Sequence, residues 1–484
     1  MNQQGFHSYL TNLIGEFAYL LPELTLIIGS LLVVLFDLIY GRGKQAQIKT
    51  MLTLLVLAVT AMVVPMMTVE GYYLNEILFQ DSTTHSLKYL FLFIAGASLL
   101  FPNSKRQSET GEYQFLILMI VLGGFFLIQV RNLLLFYVAL ELVSITSYVL
   151  ISFAFGRKGF EAGIKYLLFG AMSSGLMLYG LSLIYGLIGG LEISQIAEVY
   201  MQGYDTTWLN LSLLLFMVGI FFKLSVVPFH IWSPDVYQAG PISAVALISV
   251  LPKIAVLVFF FHFTQSIAVL GYNIFDWKQV LSAIALISMF VGNLSALLQD
   301  NAKRMMAYSS IAHAGTLLIA IVVGSDFAYE AMLFYAVVYG VMNIALFYFI
   351  DWMEENDIQN ISELAGLGKQ FPLWGVAVTI VLLSLVGLPP TGGFSAKLLI
   401  FSALWEEYLK LDQAFLLWLF ALGLLNAALS LFYYLKIPFY LFVKPAVADL
   451  SPQLSIRRLI YLSIAALVVL VAFFKTDWVL GLMV

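Results

Sequence analysis

The sequence predicts an all-α polytopic membrane protein of about fourteen spans. Three observations predict it. Of 484 residues, 62% are hydrophobic and 11% are charged, against about 25% charged in soluble globular chains. The mean hydropathy is +0.95, more apolar surface than a water-soluble fold can bury. Apolar stretches of roughly 20 residues, the length that crosses a bilayer, recur along the whole chain.

In chain order the spans lie near 17–40, 48–69, 85–101, 113–129, 132–154, 162–188, 208–232, 241–263, 276–299, 303–323, 327–351, 371–407, 414–440 and 457–480. Two of them read as broken helices, at Pro228 in KLSVVPFHIWSP and at Pro389 in GLPPTGGFSAK, because proline removes a backbone donor and clashes with the preceding turn. Each break is the fourth member of a five-span group. A group with an odd number of crossings enters its copy from the opposite side, so the layout predicts two inverted five-helix repeats, as in many transporters. The expected division is 1–111, a three-helix segment; 112–265 and 266–440, the two repeats, each a half-channel; and 441–484, a last helix.

Orientation follows from Lys and Arg near the span ends. Alternate loops hold Arg42, Lys44, Lys49, Lys105, Arg106, Arg157, Lys158, Lys303, Arg304, Lys369, Lys444, Arg457 and Arg458. The opposite set holds Arg131, Lys278, Lys410 and Lys475, with Lys88 near a helix start. The first set is expected on the cytoplasmic side and both termini on the other. No cleavable signal is expected at the start of the chain, which lacks a basic opening followed by a small-residue cleavage pattern.

The chain has no cysteine, which excludes disulfides, thiolate metal sites and Cys-bound iron–sulfur clusters. The histidines, His7, His85, His230, His262 and His313, are scattered. No dinucleotide fingerprint and no basic tract for nucleic acid is present, and the net charge is only −5. No cofactor is expected in this chain.

The informative residues are the charges inside spans, which cost roughly 2.5–3.5 kcal/mol each on insertion scales and mark ion paths. Glu141 sits about ten residues into its span; it is a proton carrier, or a structural acid bonded to Ser144 or Ser147 of its own helix. Lys223 precedes the first break, where Lys223, His230 or water would satisfy freed carbonyls. Two charges about 4 Å apart interact by about 4 kcal/mol at an effective dielectric of 20, enough to load and release a proton, so Glu141 and Lys223 form an expected pair. Lys165 pairs with Glu161 one turn earlier or snorkels to the interface. Lys253 and Lys397 form a relay or bond backbone carbonyls. His313 is a proton hop or a packing residue; His262 and Asp37 read as structural and interfacial.

The segments YVALELVSITSYVL, EAGIKYLLFGAMSSGLMLYG, FFKLSVVPFHIWSPDVYQAGP, LPKIA and LSLVGLPPTGGFSAKLLIF resemble the subunit N family of bacterial-type NADH:quinone oxidoreductase (respiratory complex I), homologous to mitochondrial subunit 2. The likeness runs from roughly 112 to 440. The resemblance implies a proton-translocating membrane subunit in a bacterial inner membrane, driven by quinone reduction in other subunits. It implies neighbouring antiporter-like and small membrane subunits as partners, with NADH, FMN, iron–sulfur clusters and quinone held there. By motif, Glu141 and Lys223 match the acid and the broken-helix lysine of the first half. Lys165 matches the lysine that modulates them, and Lys253 the lysine linking the halves. His313 and Lys397 match the second half, with Lys397 on the exit side. One departure stands out: the family's DVYEGAP is here DVYQAGP, so Gln238 replaces an acid. Either Asp235 takes over at the entry or the position only shapes the loop.

Two other readings compete. A subunit of a multisubunit cation/proton antiporter shares the Glu/Lys core but not the PDVY and GGFSAK signatures. A scaffold would use the charges only to hold helices together.

Overall fold

The computed structural model describes residues 15–41, 46–66, 70–102, 110–196, 206–268, 276–446 and 452–483. Arg42, Lys44, Lys105, Arg106 and His7 lie outside them.

The chain opens with α1 (Leu21–Tyr40), α2 (Ala46–Val63) and α3 (Ser82–Leu99). A first group follows: α4 (Gly111–Gln129), α5 (Leu133–Ser152), α6 (Arg157–Ile188), the broken pair α7 (Thr206–Leu224) and α8 (Trp232–Ala239), and α9 (Ile242–Ala268). The second group is α10 (Trp277–Leu297), α11 (Ala302–Val323), α12 (Asp326–Glu355), the broken pair α13 (Pro372–Val386) and α14 (Gly392–Leu411), and α15 (Ala414–Phe442). The last long helix is α16 (Ile456–Phe474). Twelve helices among the described residues are long and apolar enough to cross a membrane. With α3 and the α13–α14 pair, the crossings number about fourteen. The fourth member of each group is the broken one, as the prolines predict.

Local chemistry sets the helix starts. Asp81, Thr110, Asn132, Asp276, Asn301 and Ser325 each accept a backbone N–H of the first turn of α3, α4, α5, α10, α11 and α12, satisfying groups that the helix leaves orphaned. Gly189, Gly324 and Gly387 end α6, α11 and α13 in the left-handed conformation, which glycine adopts without a side-chain penalty.

The fold is all-α as expected, with one short hairpin beside the helices, β1 (Gly71–Tyr73) antiparallel to β2 (Leu78–Gln80). Two expectations need correction. The sixth span begins at Arg157, so Arg157 and Lys158 lie in its first turn. Asp37, in the last turn of α1, is buried against neighbouring helices; it pairs with Lys49 and accepts the Gly111 N–H at 2.8 Å, clamping α1, α2 and α4. Lys49, Lys88, Lys303 and Arg458, assigned to loops or helix starts, are buried within helices.

The span windows of α9, α11 and α12 are almost wholly buried, whereas those of α1, α2, α6, α15 and α16 are buried over a third or less. The helices carrying Lys253 and His313 therefore form the centre of the bundle. Close approach of α10 and α11 depends on glycine: a Cβ at Gly292 would lie 2.6 Å from the Ala312 nitrogen, and one at Gly315 2.7 Å from the Ala285 oxygen. These contacts bracket His313.

Candidate functional site: a row of buried charges

Glu141 projects from α5 and is half-buried. It accepts a hydrogen bond from Ser174 on α6, not from Ser144 or Ser147. Those serines serve otherwise: Ser147 bonds the Val143 carbonyl at 2.5 Å, and Ser144 accepts from the Lys223 ammonium at 3.2 Å. Lys223 also donates to the Tyr166 hydroxyl at 3.4 Å and lies 5.7 and 6.0 Å from the rings of Tyr166 and Tyr148. Among the described residues no ion pair joins Lys223 to Glu141. Ser144, one turn beyond Glu141, is Lys223's bonded partner on α5.

The break after Lys223 is satisfied by the Ser225 N–H, which donates to the Phe222 carbonyl at 3.0 Å, and by a residue that the charge pattern did not mark. Trp232 Nε1 donates to the Phe222 carbonyl at 3.2 Å and its ring stacks on Tyr166 at 4.1 Å. Neither Lys223 nor His230 takes that carbonyl. The Val227 N–H donates to Ser288 on α10 at 2.9 Å, tying the first break to the second group.

Lys165 contacts Glu161 at 2.9 Å and Asp235 on α8 at 3.1 Å. Asp235 also accepts from Arg304 on α11 at 2.8 Å, and Arg304 reaches Gln238 at 3.1 Å. Gln238 thus joins a mixed-charge cluster as an acceptor. Burial raises the Asp235 carboxyl, but Arg304 and Lys165 outweigh it and hold the group below the usual aspartate value. Glu161, Lys165, Asp235 and Gln238 line a cavity of about 570 Å³ together with Lys303 and Glu354, which pair at 2.5 Å.

Lys253, buried on α9, donates to Ser310 on α11 at 2.5 Å. Ser310 is 3.4 Å from the Tyr237 hydroxyl. His313, one turn further along α11, bonds the hydroxyls of Tyr335 at 2.8 Å and Tyr434 at 3.0 Å. Tyr434 also bonds Ser309. Lys397 donates to the carbonyls of Leu385 and Val386 at 3.1 and 2.5 Å. These are the end of α13, where a cation complements the helix dipole. Its stem lines an apolar cavity of about 780 Å³. His262 bonds the Tyr329 hydroxyl at 3.2 Å.

Three buried polar groupings escaped the sequence reading. Glu23 on α1 pairs with Lys88 on α3 at 2.8 Å and accepts from Gln129 at 2.7 Å; Gln129 in turn bonds Tyr73 of β1. Arg458 on α16 pairs with Asp351 and Glu355 of α12 at 2.7 and 2.6 Å. Asn293 and Asn426 join α10 to α15. The first two were legible as charges, but partners far apart in sequence could not be matched. The asparagines carry no charge to flag them.

Residues 130–425 match the family model for NADH:quinone oxidoreductase/Mrp antiporter membrane subunits. NADH-quinone oxidoreductase subunit N 2 of Chloroherpeton thalassium is 39% identical, with 80% of this chain and 77% of that one covered. Subunit N of Chlorobium chlorochromatii is 32% identical, with 96% and 93% covered. A chain of respiratory complex I from Thermus thermophilus superposes with a TM-score of 0.79 at 28% identity, covering 95% of this chain and 99% of that one. A chain of the Mrp complex from Dietzia sp. gives 0.82 at 19% identity, covering 96% of each, which is likeness of fold alone. A helical bundle with two broken helices and lysines beside both breaks, matched across that core, defines an antiporter-type membrane subunit. Within that class, the chain belongs to the NADH-quinone oxidoreductase subunit N family.

Proposed function

We propose that this chain translocates protons as a membrane subunit of an NADH:quinone oxidoreductase, working beside other membrane subunits, including antiporter-like and small ones. NADH, FMN, iron–sulfur clusters and quinone belong to partner subunits, and this chain holds no redox centre. It lies in a bacterial inner membrane with both termini on the non-cytoplasmic side. Residues 112–265 and 266–440 act as two half-channels, between a three-helix segment (1–111) and a last helix (441–484).

The single observation that carries this reading is the row of basic groups, the buried Lys223, Lys253 and His313 and the half-buried Lys397, spread over both groups, each with neutral oxygen partners rather than an ion pair among the described residues. A lysine held by hydroxyls or carbonyls carries a charge that nothing nearby cancels, and in a low-dielectric interior its proton is easily made mobile by a moving neighbour. Glu141 is that neighbour for Lys223, acting across Ser144. Lys165 sits in the cytoplasm-facing cavity, and its pairing with Asp235 and Glu161 biases how a proton enters. Asp235 takes the entry role that Gln238 cannot. A scaffold would instead be expected to close its charges into pairs, as Arg458 and Asp351 do.

A proton crossing 100 mV needs about 2.3 kcal/mol, so the redox step in partner subunits must drive the cycle. The antiporter reading is less favoured, since the curated relatives reported above are subunit N proteins. The test is Lys223→Ala in membranes containing the assembled complex. Loss of quinone reductase activity and pumping, with the complex intact, is the expected result. Normal pumping would return Lys223 to a structural role.

A further inference from the structure

Between His313 and Lys397 lies a polar cavity of about 10 Å³, the room of about one water molecule. Both proposed carriers line it, and no direct hydrogen bond joins them: His313 is engaged at both ring nitrogens by tyrosines, and Lys397 spends two of its three donors on carbonyls. The rest of the wall includes Asn293, Asn426, Thr316 and Ser430.

Two buried asparagines in an apolar bundle need an account, because an amide in a dry site costs free energy unless bonded. They are bonded chiefly to one another. Asn293 Nδ2 donates to the Asn426 carbonyl at 2.8 Å and lies 3.2 Å from Asn426 Oδ1. Asn293 Oδ1 accepts from Tyr433 at 3.1 Å, and Asn426 Nδ2 donates to the Leu422 carbonyl at 3.1 Å. Asn293 donates to both Asn426 oxygens, which fixes the Asn426 amide. Its Oδ1 retains acceptor capacity at the wall of the cavity.

We propose that Asn293 and Asn426 are positioning residues of the second half-channel. They hold the polar cavity between His313 and Lys397 open and oriented for proton passage. This inference rests on the reading of His313 and Lys397 as carriers.

The test uses the assembled complex in inverted membrane vesicles, with NADH-driven acidification read by a pH-sensitive dye and normalised to the amount of complex. Asn426→Leu keeps the bulk and removes the amide. Pumping per complex is expected to fall about tenfold, which corresponds to about 1.4 kcal/mol on a barrier. Asn426→Asp keeps the shape and adds a titrating group. Its carboxylate, formed as pH rises, would hold the proton on Lys397, so pumping should fall with rising pH more steeply than in the unaltered complex. A structural role would lower the yield of complex without changing that profile. Wild-type pumping in N426L, or an unchanged pH profile in N426D, would overturn the inference. Lys397→Ala separates the two levels: if K397A pumps normally, the carrier reading fails, whereas if K397A is inactive and N426L is normal, only the asparagine inference fails.

Discussion

At the scale of single residues, the chain uses buried charge in two ways. Arg458 is 1% exposed and its guanidinium is shared between Asp351 and Glu355, with a further bond to the Tyr348 carbonyl at 3.2 Å. Removing one partner of such a group leaves an uncompensated charge and costs about 3–5 kcal/mol. Arg458→Ala is therefore expected to lower the thermal stability of the assembled complex sharply, measured by its inactivation midpoint, while surviving complex pumps at its normal rate. Ser310→Ala is the contrasting case. It strips Lys253 of its bonded partner at a cost of about 1–3 kcal/mol for an unsatisfied buried donor. Pumping per complex, not only stability, should fall. Normal pumping in S310A would take Ser310 out of the link between the halves.

Helices carry the breaks, and here sequence and structure meet unevenly. Pro228 and Pro389 announced both interruptions, because proline's missing N–H is written in the residue itself. What closes the first break was not legible. Trp232 reads as one more aromatic residue until the fold brings Nε1 to the Phe222 carbonyl. The β1–β2 hairpin was missed for a related reason: its turn places Leu74, Asn75 and Glu76 at positive φ without the Asn-Gly or Asp-Gly pair that marks such turns. Lys165 with Glu161 could be read from helical spacing, but Asp235 is 70 residues away in sequence. Trp232→Phe keeps the stack on Tyr166 and deletes the donor. Amide exchange over 222–226 should then quicken and activity fall while the complex still assembles. Unchanged exchange would mean that the Ser225 N–H, which also donates to the Phe222 carbonyl at 3.0 Å, holds the break without the indole.

For the whole molecule, the two helix groups touch through polar contacts made by different residues. Lys253 of α9 meets Ser310 of α11, the Val227 amide meets Ser288 of α10, and Asp235 of α8 meets Arg304 of α11. A charge change in the first group thus has bonded routes to the second, the kind of contiguous network through which the two proposed half-channels could be coupled. The Asp235 contact can be read by pH, since its carboxyl is held below the ordinary aspartate value of about 3.9. A group whose pKa is lowered by folding contributes stability above its unfolded value and loses it as pH falls through the lower folded value. The contribution of Asp235 is therefore complete at neutral pH and disappears only below about pH 4. Because the cluster is partly exposed, salt should screen it. Asp235→Asn should flatten the acid limb of the stability profile of the complex and make it less sensitive to salt. If D235N keeps the acid limb of the unaltered complex, the Asp235–Arg304 contact does not hold the two groups together.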